Sequence, residues 1–195
     1  MVLVLFILEV DEEITMKMLS IKDAENLFNI IHESRQHLRK WLPWVDDTTS
    51  VADSISFIKN GFQIYAERTA VTAGVFYKNE LVGIAGFNCF DWKNRISQIG
   101  YWLSINFQGK GIMTRVVKAL TYYAFNRLDL NRVEIRVAPD NKKSRAIPER
   151  LNFKNEGHLR QTEWLYDHYV DHIIYAVLKE EWGDLKKINN LFPGK

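Results

Sequence analysis

The chain has 195 residues, of which 47% are hydrophobic and 26% are charged, and its formal net charge is +2. This composition excludes collagen-like, coiled-coil and disordered proteins, and the small net charge argues against nucleic acid or an anionic membrane as the main partner. A chain of this length is expected to form one domain, over residues 1–195, whose core needs neither disulfides nor a structural metal.

The chain begins with an apolar run over residues 2–8, which acidic residues follow directly. The run lacks the basic segment and the cleavage site of a signal peptide, so we interpret it as a strand or an artificial tail. No stretch of the sequence reaches the ~18 consecutive apolar residues that a membrane-spanning helix needs. The single cysteine, Cys89, cannot form an internal disulfide. We therefore expect a soluble, cytoplasmic protein.

A strand and a helix are predicted next. Residues 14–19 alternate in the way that is typical of a half-buried strand. Ser20 and Asp23 form a capping-box pattern that predicts a helix over about residues 21–33. The helix has an apolar face of four residues with helical spacing, Ala24, Leu27, Phe28 and Ile31.

Two more helices are predicted before the first long strand. A short one covers residues 36–42 and ends ahead of Pro43, because the residue before a proline disfavours the helical conformation. Another follows the capping pair Ser50 and Asp53 and ends near Arg68. Three helices therefore occupy the first third of the chain.

The middle of the chain is predicted to form an antiparallel meander. Residues 72–77, 82–87 and 95–103 are rich in β-branched, aromatic and small residues, and a Lys78-Asn79-Glu80 turn joins the first two segments. A helix over about residues 110–127 follows. Its apolar residues recur at helical spacing.

The last third of the chain is predicted to hold three strands and one helix. The strands cover residues 132–137, 156–164 and 171–178, and the helix covers residues 141–151. From residue 179 the chain is charged, and we expect a weakly structured tail. A meander followed by a β-α-β unit and further strands predicts an α/β or α+β sheet covered by helices.

The turn Gln108-Gly109-Lys110-Gly111-Ile112-Met113, between a predicted strand and a predicted helix, is the segment that bears most on function. Glycines let the backbone approach a ligand closely, and the first N–H groups of a helix have no intrahelical partner. Since the helix dipole adds roughly half a positive charge there, the turn predicts a pyrophosphate site. It matches neither a Walker A loop nor the GxGxxG fingerprint, in which Thr114 would have to be glycine.

The turn, with the pattern Q/R-x-x-G-x-G/A after a strand, resembles the GNAT superfamily of acyl-CoA N-acyltransferases. Other segments are similar, in the same order, to the branch that contains the ribosomal-protein N-terminal acetyltransferases: Leu38-Arg39-Lys40-Trp41-Leu42-Pro43-Trp44, Gly100-Tyr101-Trp102-Leu103, Val133 to Val137, Asn141-x-x-Ser144 and Glu149-Arg150-Leu151-Asn152-Phe153. The similarity covers nearly the whole chain.

Two residues depart from the family pattern, and a third is unexpected inside its helix. Met113 stands where glycine or alanine is usual, and it is acceptable if a ligand meets only its backbone. Asn152 stands where a glycine usually ends the helix, and asparagine is the next-best residue for a left-handed cap. Pro148 is interpreted as an early-turn proline, which removes only donors that lack intrahelical partners and bends or shortens its helix.

The resemblance implies the GNAT fold, a mixed and mostly antiparallel sheet with helices on both faces and a splayed strand pair that holds the cofactor. It implies acetyl-CoA (CoA) as co-substrate and no metal, and it implies that the backbone near Trp102 and Leu103 pairs with the pantetheine arm. The residues it assigns to cofactor binding are Trp102, Leu103, Gln108, Gly109, Lys110, Gly111, Ile112, Met113, Thr114 and Asn141.

Acetyl transfer to an amine needs a base, a donor for the carbonyl oxygen and a proton source for the thiolate. The resemblance points to Glu163 as general base, directly or through water, and to Ser144 as donor to the thiolate. The aromatic residues Trp41, Trp44 and Trp164 are predicted to line the acceptor groove. A solvated carboxylate at Glu163, a purely local role for Ser144 and core packing of the tryptophans stay open as alternatives.

The leading prediction is an acetyl-CoA-dependent N-acetyltransferase that acts by direct transfer, in a ternary complex, on the N-terminus of a ribosomal protein. The alternatives are an acetyltransferase for a small amine, such as an antibiotic, polyamine or amino acid, and a non-catalytic acyl-CoA-binding module. Family resemblance favours a homodimer.

Two other classes of site have weak support in the sequence. The residues available for a basic face are Lys142, Lys143, Arg145 and Arg150, and they are assigned to the cofactor's phosphates or to solvent, so neither nucleic acid nor a membrane is expected as a partner. The histidines, His32, His37, His158, His168 and His172, lack paired metal spacing. Surface or packing roles are predicted for each of them.

Overall fold

The structure, a computed structural model, describes residues 5–182 and has one eight-stranded sheet there. The strands are β1 (Ile7–Glu9), β2 (Ile14–Lys17), β3 (Val71–Tyr77), β4 (Glu80–Asp91), β5 (Ile96–Leu103), β6 (Arg132–Val137), β7 (Lys154–Leu165) and β8 (His168–Leu178). The helices are α1 (Ala24–Leu38), α2 (Val51–Ala66), α3 (Ile112–Asn126) and α4 (Lys142–Arg150). Among the described residues, no helix is long and apolar enough to cross a membrane.

The order of strands across the sheet is β1-β2-β3-β4-β5-β6-β8-β7. Every neighbouring pair is antiparallel except β5 and β6, which are parallel. This arrangement confirms the predicted fold class, a mixed and mostly antiparallel sheet. The predicted strands are all present, and β4 is longer than predicted.

Two capping boxes start helical segments where they were predicted. The Asp23 carboxylate accepts the backbone N–H of Ser20 at 2.7 Å, and the Asp53 carboxylate accepts that of Ser50 at 2.8 Å. Both contacts satisfy donors at a helix start. Ser50 leads directly into α2, whereas Ser20 leads into a 3-10 turn over Ile21–Asp23 that continues as α1.

The two helices predicted ahead of Pro43 are one helix, α1, which ends at Leu38. The Arg35 guanidinium donates to the backbone carbonyls of Val45 and Thr48. These bonds hold the returning chain against the last turn of α1. The prediction of a separate helix that the proline stops was wrong, because tertiary contacts set this boundary.

The weakly structured tail predicted from residue 179 needs a correction in its described part. Trp182 is buried, and its ring centroid lies 6.2 Å from that of Phe125 and 6.1 Å from that of Phe153. Aromatic packing therefore joins the chain to the core up to this point. The rest of the predicted tail, residues 183–195, and residues 2–4 of the apolar opening run lie outside the described residues.

Helices cover both faces of the sheet. On one face, α1 and α2 share a buried cluster with β4, in which Leu27 and Ile58 meet Ile84. On the other face, α3 shares the larger cluster with the next β4 residue, Ala85, and with Phe87. Because adjacent strand residues point to opposite faces, a strand that is buried on both sides must be apolar throughout.

The parallel strands β5 and β6 pair over three residues only. Ile96–Gln98 faces Arg132–Glu134 in register. Beyond these residues β5 stays paired with β4 up to Leu103, and β6 stays paired with β8 up to Val137. The two strands therefore diverge, which confirms the predicted splayed pair and leaves their facing edges without a strand partner.

Gly86, in the middle of β4, lies where the chain cannot hold a side chain. A Cβ at this position would lie 1.8 Å from the Val71 carbonyl oxygen of β3. Gly61, in the interior of α2, is a matched contrast, because a Cβ there would meet no atom within 4 Å. Gly61 should therefore tolerate substitution by alanine, whereas Gly86 should not.

We predict that Gly86→Ala lowers the free energy of unfolding by about 1–3 kcal/mol, because the strands must move apart to accept the methyl group. Gly61→Ala should raise it by up to about 1 kcal/mol, because alanine is the better helix former. Urea unfolding followed by circular dichroism measures both changes. Equal effects of the two substitutions would contradict this account of the sheet.

Candidate active site

A cavity of about 850 Å³ lies at the divergence of β5 and β6. Its wall is formed by the end of α1 with the following turn, the end of β5, the start of α3 and the start of α4. The sequence-predicted site residues that line it are Trp41, Trp102, Leu103, Gln108, Gly109, Lys110, Gly111, Ile112, Met113, Thr114, Asn141 and Ser144. Folding thus brings together residues from four separate segments of the chain.

The turn before α3 has the geometry of an anion cradle. Gly109 has φ +79° and Gly111 has φ +71°, and a Cβ at either position would meet no atom within 4 Å. The backbone conformation therefore requires glycine, and the space beside it is open to a ligand. Since α3 begins at Ile112, its unpaired N–H groups lie at the cavity.

The structure accommodates the two departures from the family pattern and the unexpected proline differently. Met113 borders the cavity, but it is only 5% exposed and belongs to the core cluster, so its large side chain packs mainly in the core. Asn152 has φ +59°, as expected of a left-handed cap. Pro148, however, is the seventh residue of α4, and the early-turn interpretation was wrong. Its missing N–H removes an interior helical bond to the carbonyl of Ser144.

The start of α4 places a hydroxyl group at the cavity. The Asn141 side chain caps the helix, and its Oδ1 accepts the backbone N–H of Ser144 at 3.2 Å. Ser144 Oγ donates to Tyr101 Oη at 3.1 Å, and Tyr101 Oη donates to the Ser144 carbonyl oxygen at 3.1 Å. Burial raises the pKa of the Tyr101 phenol, so it stays protonated. Tyr101 lines the cavity. The sequence assigned it no role, although the segment Gly100-Tyr101-Trp102-Leu103, which contains it, resembles the family.

His37, on α1, also lines the cavity. The Gln108 side chain amide lies 2.6 Å from His37 Nε2, and its Oε1 accepts Lys143 Nζ at 3.0 Å. Burial, with the positive charges of Lys143 and Lys40, lowers the pKa of the His37 ring. A neutral ring can accept the Gln108 amide proton, and the three side chains thus connect α1, the turn and α4.

A second contact between α1 and the turn lies one helical turn earlier. Ser34 Oγ donates to Ser104 Oγ at 3.3 Å and accepts the Ile105 backbone N–H at 3.1 Å. Both serines are 1% exposed. Buried hydroxyl groups need such partners, and here their bonds fix the approach to the anion cradle.

Glu163, the predicted base, and Trp164, one of the tryptophans predicted to contact the acceptor, are neighbours on β7. Glu163 Oε2 lies 3.2 Å from His172 Nε2, and the Trp164 ring packs edge-to-face on Tyr169 with centroids 4.8 Å apart. Adjacent strand residues point to opposite faces. Neither side chain is among the described residues that line the cavity. Trp44 is also absent from that wall, and its ring lies against Trp102 at 6.0 Å.

The hairpin of β7 and β8 nevertheless touches the cavity wall. Tyr166, at its tip, donates its hydroxyl to the Leu42 carbonyl oxygen at 2.7 Å, and the Arg39 guanidinium lies over its ring. Leu42 and Trp41 line the cavity. The hairpin that carries Glu163 is therefore held against the turn that follows α1.

The basic residues near the turn have different environments. Lys143 and Arg150 line the cavity, and Lys142 is exposed. Arg145 instead donates to Tyr175 Oη at 2.9 Å and to the Pro139 carbonyl at 3.0 Å. Within the described residues, no three His, Cys, Asp or Glu side chains form a group that could hold a metal ion.

The chain is similar to known acetyltransferases. The acetyltransferase (GNAT) domain profile matches residues 13–154. The chain is 39% identical, over 180 residues, to the putative ribosomal N-acetyltransferase YdaF of Bacillus subtilis (strain 168), with coverage of 91% of this chain and 98% of that protein. It is 28% identical over 169 residues to the ribosomal-protein-serine acetyltransferase of Escherichia coli (strain K12), with coverage of 87% and 94%.

A solved structure extends the similarity to three dimensions. The microcin C7 self-immunity acetyltransferase MccE, in complex with acetyl-CoA and AMP, superposes with a TM-score of 0.83 at 32% identity, covering 87% of this chain and 94% of that one. Such a score over most of both chains indicates a shared fold.

We predict that Lys143→Ala raises the pKa of His37, because it removes a positive charge that opposes protonation of the ring. The pKa should stay below that of an ordinary histidine, since burial is the larger cause and remains. Proton NMR titration of the ring measures the change. Lys142→Ala, an exposed lysine on the same helix turn, is the control, and an unchanged His37 titration in Lys143→Ala would contradict the side-chain bridge.

Proposed function

The chain belongs to the acetyltransferase (GNAT) domain family, and from this premise we propose that it transfers acetyl from acetyl-CoA directly to the N-terminal amino group of a ribosomal protein. The protein is an N-acetyltransferase with a mixed α/β fold. The proposal adds the acceptor, the residues that carry the reaction and the route of transfer. The microcin C7 acetyltransferase of the same fold was solved with acetyl-CoA bound, which supports the donor.

One observation carries the proposal: a single cavity is lined both by the anion cradle and by the end of β5, beyond the residues that pair with β6. The cradle at Gly109 and Gly111 would hold the pyrophosphate, and the unpaired β5 edge at Trp102 and Leu103 would hold the pantetheine arm. Lys143, with Arg150, supplies positive charge beside it. Acetyl-CoA supplies the thioester whose acetyl group is transferred.

The proposed chemistry assigns one role to a residue of β7 and one to a residue of α4. Glu163 accepts the proton that the attacking amine loses, directly or through water, and Ser144 donates a hydrogen bond to the sulfur as the C–S bond breaks. The new bond is the amide C–N bond, so transfer is direct and needs no acyl-enzyme. Cys89, the sole cysteine of the sequence, is exposed and lies outside the cavity wall.

A ribosomal-protein acceptor is supported by the relatives. The putative ribosomal N-acetyltransferase of Bacillus subtilis is similar over 98% of its length. The Escherichia coli relative is named for a serine of a ribosomal protein. In the proposal, Trp41, Trp44 and Trp164 contact the acceptor. The proposal also includes one domain over residues 1–195, a cytoplasmic location and a homodimer, which family resemblance favours.

A small amine is the second candidate acceptor. The specific observation in its favour is the microcin C7 self-immunity enzyme, which was solved with AMP as well as acetyl-CoA. That enzyme is 32% identical to this chain. The two acceptor classes differ in size, and an assay separates them.

We predict that acetyl-CoA binds saturably in isothermal titration calorimetry and that Gly111→Ala weakens its affinity about tenfold. An L-residue at φ +71° costs about 1–2 kcal/mol, so the turn of the free variant is expected to relax, and binding must then restore the strained conformation. Gly61→Ala, away from the cavity, should leave affinity unchanged. A wild-type protein that binds no acetyl-CoA would end the enzyme interpretation.

We also predict that the enzyme acetylates a peptide that begins with serine, and that Glu163→Gln lowers kcat at least about a hundredfold, because the general base is lost. Mass spectrometry of the peptide, with the same peptide already acetylated as a blank, measures turnover. Asp167→Asn removes a carboxylate from the tip of the same hairpin and should have little effect. Turnover of spermidine or free amino acids without turnover of peptides would favour the second candidate, and unchanged kcat in Glu163→Gln would remove its assigned role.

A further inference from the structure

The phenol of Tyr101 makes two hydrogen bonds to one residue, Ser144. It donates to the Ser144 carbonyl oxygen at 3.1 Å and accepts the Ser144 hydroxyl at 3.1 Å. Tyr101 comes from β5 and Ser144 from α4, so the pair closes the end of the gap where these two elements meet. The two side chains line the same cavity.

Pro148 explains why the Ser144 carbonyl is open to Tyr101. In α4 the N–H of residue 148 would donate to the carbonyl of residue 144. A proline has no N–H, so this carbonyl lacks its usual helical donor. An unpaired carbonyl in a partly buried place costs free energy, and the Tyr101 hydroxyl supplies the missing donor.

The same arrangement sets the direction of the Ser144 hydroxyl. A phenol has one proton to donate, and the Tyr101 hydroxyl donates it in the hydrogen bond to the Ser144 carbonyl oxygen. The Tyr101 oxygen can therefore only accept from Ser144 Oγ, which fixes where the serine proton points. Burial raises the pKa of the phenol, so it keeps its proton throughout the working pH range.

We propose that Tyr101 is a positioning residue that, through its two bonds to Ser144, prepares the Ser144 hydroxyl to donate to the CoA sulfur. The inference rests on the role of Ser144 in the proposed function. When Ser144 turns its proton toward the sulfur, the Tyr101 proton can turn from the Ser144 carbonyl to Ser144 Oγ, since both lie 3.1 Å away. Hydrogen bonds in such a chain strengthen one another.

Neither the Ser144 nor the Tyr101 proton leaves its oxygen in this step. As the amide C–N bond forms, the C–S bond breaks and its electron pair stays on the sulfur. The amine proton goes to Glu163, while the two hydroxyl groups only reorient. The Ser144 hydrogen bond stabilises the negative charge, and Tyr101 makes that bond stronger. The thiolate is the form that Ser144 and Tyr101 favour.

The test uses CoA itself and needs no acceptor. A group that stabilises the thiolate lowers the pKa of the bound CoA thiol, and the thiolate is followed by its ultraviolet absorbance during a pH titration of the complex. We expect Tyr101→Phe to raise that pKa by about one unit, a tenfold loss of thiolate at a fixed pH. Ser144→Ala should raise it at least as much. Tyr101→Phe should add nothing in the Ser144→Ala background, because Tyr101 acts through Ser144.

A second pair of variants separates positioning from mere support of α4. Tyr101→Phe leaves the Ser144 carbonyl without a donor and should lower the melting temperature. Adding Pro148→Ala restores the helical N–H, so stability should recover while the thiol pKa stays raised. Tyr175→Phe, which removes another buried hydroxyl that bonds to α4, is the matched control and should leave the thiol pKa unchanged.

The outcomes are distinct. If Tyr101→Phe/Pro148→Ala recovers both stability and the low thiol pKa, Tyr101 is only a support for the helix and the inference is overturned. If Ser144→Ala raises the thiol pKa but Tyr101→Phe does not, the inference fails and the role of Ser144 stands. If neither raises it while CoA binds, the role proposed for Ser144 fails as well.

Discussion

The divergence of β5 and β6 is the constraint on which the site depends. The strands share three parallel residue pairs, and each then stays bonded to its other neighbour, β5 to β4 and β6 to β8. The gap can stay open because neither strand is free to close it. Unpaired backbone groups on the facing edges favour a ligand that can bond to them. The connection between the two strands is α3, so its N-terminus and the anion cradle necessarily lie at the same end as the gap.

The walls of the gap are fixed by polar contacts between elements that are distant in sequence. His37 and Gln108, from α1 and the turn, are 71 residues apart, and Tyr101 and Ser144, from β5 and α4, are 43 apart. Each contact places a helix end against a loop or strand end. Directional hydrogen bonds set the orientation of the individual side chains at these contacts.

Features that depend on residues close together in the sequence could be predicted, whereas features that depend on residues of distant elements could not. Capping pairs such as Ser50 and Asp53 lie three residues apart, and the glycine turn is contiguous, so the helix starts and the position of the turn before α3 were predicted correctly. The pyrophosphate site at this turn stays a prediction. The end of α1 depends on Arg35 reaching a later loop, and its prediction was wrong. His37 gave no local signal, because its role comes from Gln108 and Lys143 on other elements. The early-turn interpretation of Pro148 was wrong, since the carbonyl that this proline leaves without a helical donor is bonded by Tyr101, which is distant in sequence.

Strand geometry also bears on the size of the acceptor. Glu163 and Trp164 are consecutive, so they face opposite sides of the β7–β8 hairpin, and Trp164 is 52% exposed. Because β7 is the edge strand of the sheet, a chain can pass around it. If both residues act on the acceptor as proposed, an amine with no further chain could reach only one of them. A peptide could place its amino group near Glu163 and lay a following residue against Trp164 and Tyr169. The roles proposed for these two neighbours are therefore compatible with each other only for an extended acceptor.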